Sequence, residues 1–119
     1  MEKKKENPLK DKSYAFALQI ILTTRKMNEN KEFVLAKQLL RCGTSIGANV
    51  EEANQGESKA DFIHKLSIAN KEAHETRYWL RLLKDSNMLS TDRSDELIAS
   101  CSELERLLTS ILNTTKNTR

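Results

Sequence analysis

The sequence predicts an all-α protein, an antiparallel up-down four-helix bundle, on three observations. Apolar residues recur at steps of three and four along four separate segments. Three glycines and one proline in 119 residues are too few to punctuate a strand-and-turn architecture. The breaks between the periodic segments hold residues that start and stop helices. A chain of this length makes one domain, spanning 1–119, and buries roughly two thirds of its unfolded surface in a single core. Residues 1–12 and 116–119 are expected as flexible tails.

The first helix is expected from about Ser13 to Met27, with Tyr14, Ala17, Leu18, Ile21 and Leu22 on one stripe. Asp11 and Ser13 compete as its N-cap, and Asn28 to Asn30 form its exit. The second spans about Glu32 to Gln55 on a seam of Leu35, Leu39, Gly43, Ile46, Val50 and Ala53. Gly56 supplies its C′ residue, and Ser58 with Asp61 caps the third helix. That helix has the cleanest pattern: Phe62, Leu66, Ala69, Ala73, Thr76, Leu80 and Leu83. Asn87 suits a left-handed C-cap that folds Met88 back onto Leu83. Thr91 opens the fourth helix, whose seam is Leu97, Cys101, Leu104, Leu108 and Ile111.

Gly43 and Gly47 lie one turn apart inside the second helix. An interior glycine costs about 1 kcal/mol relative to alanine, so the pair implies a close helix approach. In the third helix, Thr76 to Lys84 carries apolar side chains over an arc of roughly 200°, about twice what one bundle needs. Tyr78, Trp79 and Leu82 therefore cover loop residues or meet another protomer. With Gly43 and Gly47 they are the expected oligomer interface.

The opposite arc of the third helix holds Arg77, Arg81 and Lys84, and the second helix turns Lys37 and Arg41 away from its seam. Basic side chains at one-turn spacing can follow a phosphate backbone. The same pattern also describes an ordinary solvated helix face. The formal charge is +3, yet residues 13–115 carry 13 basic and 14 acidic side chains, so the excess belongs to the tails. A chain without a signal segment or a long apolar run reads as cytoplasmic with reduced thiols, and no membrane contact is expected.

No catalytic constellation is legible. The two histidines, His64 and His74, both fall in the third helix, and neither follows a Glu by three residues, as a di-iron bundle requires. Cys42 and Cys101 have no partners at metal-ligand spacing. The glycines sit within a helix and not between strand and helix, so no phosphate-cradling loop exists. The expectation is a non-enzymatic protein with no cofactor and no metal.

Two stretches carry a resemblance. One is Phe33 to Ala53, with Gly-Thr-Ser-Ile-Gly-Ala-Asn at 43–49. The other is Lys59 to Leu83, with Glu-Thr-Arg-Tyr-Trp-Leu at 75–80. Both strongly resemble the bacterial four-helix-bundle family encoded in intervening sequences of 23S ribosomal RNA genes, the so-called S23 ribosomal protein family. The likeness extends to Ser13 to Ala17 and to Leu107 to Ile111. It implies an up-down bundle that assembles as a homopentamer and is possibly associated with ribosomal RNA. The chain is also similar to the basic, pentameric accessory proteins of diversity-generating retroelements, which bind nucleic acid and a reverse transcriptase. By position, Lys37, Arg41, Arg77, Arg81 and Lys84 would carry RNA binding. The alternative is a homo-oligomeric scaffold that displays a surface for a protein partner.

Overall fold

The computed structural model describes residues 6–118. Its four helices are α1 (Pro8–Glu29), α2 (Phe33–Asn54), α3 (Lys59–Asp85) and α4 (Thr91–Lys116). Each packs on its neighbour in sequence, and α4 returns to α1, giving an antiparallel four-helix bundle around one axial core. The tail expectation for residues 1–5 and 119 lies outside the described residues. Residues 8–12 and 116 are helical, contrary to that expectation.

α1 departs most from its predicted form. It starts at Pro8, because Asn7 caps it by accepting the Lys10 N–H at 3.1 Å and proline is pre-set for the first helical position. Neither Asp11 nor Ser13 is the cap. Its buried face is Leu9, Ser13, Phe16, Ile20, Thr23, Thr24 and Met27, so the predicted stripe of Tyr14, Leu18, Ile21 and Leu22 points outward. Periodicity locates apolar stripes but cannot say which one the bundle uses. The buried hydroxyls are affordable because each donates to a carbonyl of its own helix: Ser13 to Lys10 at 3.1 Å, Thr23 to Gln19 at 2.8 Å and Thr24 to Ile20 at 2.9 Å.

The glycines of α2 explain the choice. A Cβ at Gly43 would lie 2.8 Å from Ile20 Cγ1, and one at Gly47 would lie 3.3 Å from the Ser13 carbonyl oxygen. The close approach they permit is thus to α1 of the same chain. Their expected place in an oligomer interface is corrected: both are buried within the protomer. Small residues on both helices let α1 and α2 press together, which turns the bulky Tyr14 and Leu18 away.

The other elements follow the expected seams. Leu39, Ile46, Val50 and Ala53 of α2 are buried, and Leu35 packs against the core from a partly buried position. In α3 the seam from Leu66 to Leu83 is buried at every expected position, with Phe62 at its edge. Ser58 accepts the Asp61 N–H at 3.1 Å. Asn87 takes a left-handed φ of 62°, and the Met88 and Leu89 N–H groups both donate to Leu83 O. Gly56 does not have positive φ, so it is no left-handed cap. Its missing side chain instead leaves room for the Asp61 carboxylate, 2.8 Å from where a Cβ would stand. Ser90, accepting the Arg93 N–H, caps α4.

Candidate interaction surface

The outer side of α1 is the most apolar surface of the molecule. Tyr14 is 60% exposed, Leu18 46% and Leu22 52%, with Ile21 at the same edge. Residues 14–24 contain no charged side chain at all. The register set by Gly43 against Ile20 brings Leu40 and Phe33 of α2, both exposed, alongside the C-terminal half of α1. Contiguous apolar surface of this kind marks an interaction site more often than scattered exposed residues do.

A second apolar patch lies on α3. Tyr78 and Leu82 are exposed, as expected for a protomer contact. Trp79 is not: it packs against the core, meets the Tyr78 ring edge-on at 5.5 Å, and donates its indole N–H to Glu75 Oε2 at 3.0 Å. Glu75 also receives Arg41, which reaches Glu72 at 3.4 Å as well. The Trp79 N–H first, and Arg41 after it, hold the Glu75 carboxyl below the usual carboxylate range. Arg41 is therefore a strap between α2 and α3.

Two more of the expected RNA-contacting cations are engaged within the chain. Arg77 grips Glu105 through Nε at 2.7 Å and Nη2 at 3.2 Å, while His74 Nδ1 meets the same carboxylate at 2.6 Å. Glu105 is almost wholly buried, and its hydrogen bond raises the Arg77 pKa further. Lys84 pairs with Asp95 at 2.7 Å, which likewise raises its pKa. Only Lys37 and Arg81 of the five have no ion pair among the described residues. A helical wheel of α3 alone cannot show the carboxylates that α4 sets opposite it.

The profile of the 23S rRNA-intervening sequence proteins matches residues 5–110. The chain belongs to this family. It is similar to the crystal structure of a protein of unknown function from the S23 ribosomal protein family of Bacteroides thetaiotaomicron VPI-5482. The two are 48% identical with a TM-score of 0.85, over 87% of this chain and 97% of that one. No curated protein matches the chain.

In this member of the 23S rRNA-intervening sequence family, both thiols are free and buried. Cys101 donates to Ala73 O at 3.2 Å, and burial pushes its pKa up to about 12. Burial also raises that of Cys42. A thiol kept neutral in this way is a small apolar side chain, not a nucleophile. Among the described residues, no group of three or more His, Cys, Asp and Glu side chains could hold a metal ion. No described helix is long and apolar enough to cross a membrane.

Proposed function

We propose that this protein is a non-enzymatic, self-associating bundle whose work is to assemble and present a surface to a macromolecular partner. The observation that carries the reading is the uncharged outer stripe of α1, Tyr14, Leu18, Ile21 and Leu22, backed by Leu40 and Phe33. Tyr78 and Leu82 supply a second, separate apolar patch. Two different patches favour head-to-tail contacts, which close into rings when the rotation allows. A ring of five is the assembly that the resemblance implies. Replacing Tyr14 and Leu18 together by Glu removes the stripe without touching the core. Analytical ultracentrifugation should then find the wild type assembled and the double variant monomeric, with helical circular dichroism retained in both. A monomeric wild type at micromolar concentration defeats the proposal.

A second reading, RNA contact, is favoured by exposed cations that form no ion pair among the described residues, Lys37 and Arg81 in particular, and fits the family's link to ribosomal RNA genes. Affinity for structured RNA should then fall with salt, and Lys37→Ala with Arg81→Ala should flatten that dependence by about one contact per lost phosphate. An unchanged slope in the double variant removes the helix faces from consideration.

A further inference from the structure

A cavity of about 520 Å³ opens between the C-terminal turns of α1 and the turn joining α3 to α4. Its apolar wall is Leu22, Met27, Met88 and Leu89, and its two charged lining residues are Lys26 and Arg93. No carboxylate lines it. The wall is fixed by backbone, since the left-handed Asn87 turns Met88 and Leu89 inward and both donate to Leu83 O, at 3.0 and 3.1 Å. Arg93 is held across the α1–α4 junction by Gln19 Oε1 at 2.7 Å and Thr23 Oγ1 at 3.1 Å, with Glu96 outside the lining taking Nη1 at 3.2 Å. Lys26 forms no ion pair among the described residues.

Sites for small molecules are typically about 300–1,000 Å³, mostly apolar, with a few convergent polar groups. Methionine walls suit ligands of variable shape because the thioether chain is unbranched and polarisable. We propose that this cavity binds a small amphiphilic carboxylate, its apolar tail against Met27, Met88, Leu22 and Leu89 and its carboxylate between Lys26 and Arg93. The sign follows from the lining: two cations and no acid reject an amphiphilic amine and leave a carboxylate as the matched head group. This goes beyond self-association, because neither Tyr14 nor Leu18 lines the cavity.

The chain has three methionines, and two of them form the wall. Titration of methyl-labelled protein with decanoate, below its micellar concentration, therefore reads the site directly. Decanoate should displace the Met27 and Met88 methyl resonances saturably, and decylamine should not. Lys26→Glu, an exposed change that spares the core, should weaken decanoate by about tenfold. Thr23→Trp, which fills the mouth, should block it if that variant folds. Unmoved Met27 and Met88 methyls at millimolar decanoate overturn the proposal. So does equal binding of decanoate and decylamine, or a Lys26→Glu variant that binds decanoate as wild type does.

Discussion

The α1–α2 and α3–α4 junctions join antiparallel helices of similar length by opposite means. Between α1 and α2, side chains have been removed: Gly43 and Gly47 meet Ile20 and Ser13, and among the described residues no ion pair crosses. Between α3 and α4, charge has been added: Arg77 and His74 close on Glu105, and Lys84 on Asp95. The first junction depends on shape and is indifferent to salt and pH. The second depends on partners being ionised and paired, because a charge left alone in a buried seam costs more than the pair contributes. The outer surfaces follow suit. Pressing backbones together expels bulky apolar side chains to the α1 exterior, whereas the α3–α4 exterior remains polar.

The largest expected effect comes from breaking the shape-dependent junction. Gly43→Leu should cost about 3 kcal/mol, since Ile20 is β-branched and cannot swing aside. Ala48→Leu, at an exposed position of the same helix, should stay within about 0.5 kcal/mol. Urea unfolding monitored by circular dichroism separates the two. Equal losses at both positions would mean that the approach to α1 is not tight.

Next in size is Glu105→Leu, which strands Arg77 in a half-buried seam and should cost about 2 kcal/mol. Replacing Glu103, whose pair with Lys12 is open to solvent, should cost less than about 1 kcal/mol. Raising salt should narrow the Glu103 difference first. A Glu105→Leu variant as stable as wild type would show that packing alone closes the α3–α4 junction.

The smallest effect is a pH response. Cys101 has a folded pKa of about 12 against an ordinary value near 9. Its contribution is complete below about pH 9 and is lost as pH rises toward 12, because the unfolded chain releases the proton first. About 1 kcal/mol should be gone by pH 10. Cys101→Ala should start lower at neutral pH and decline less over that interval. Parallel curves for the two proteins would assign the alkaline loss to other groups.

How much of this was legible depended on whether a helix offers one apolar stripe or two. α3 offers one clean seam of Leu66, Ala69, Ala73, Thr76, Leu80 and Leu83, and every position is buried. α1 offers two, and the wider one, with Tyr14 and Leu18, belongs outside. What decides is the small Ser13 facing Gly47, a relation between two helices that no single-helix pattern contains. The glycine pair rightly announced a close approach, yet its spacing could not name the partner helix. The cations of α3 and α2 were likewise read without the acids opposite them. Glu105 in particular occupies α4, next to its apolar seam, and its burial is understandable only once Arg77 and His74 are in place.

The return of α4 to α1 has a consequence for the way the molecule folds and breathes. The other three junctions link consecutive helices across short turns, so they form early and at little loop-closure cost. Closing α1 against α4 must span most of the chain, and the bridges there, Lys12 to Glu103 and Arg93 to Gln19 and Thr23, are exposed or partly so. Amides along that edge should therefore exchange with solvent through openings smaller than global unfolding, ahead of those in α2 and α3. The Met27–Met88 cavity lies on that same edge, so the last junction to close in folding also controls entry to it.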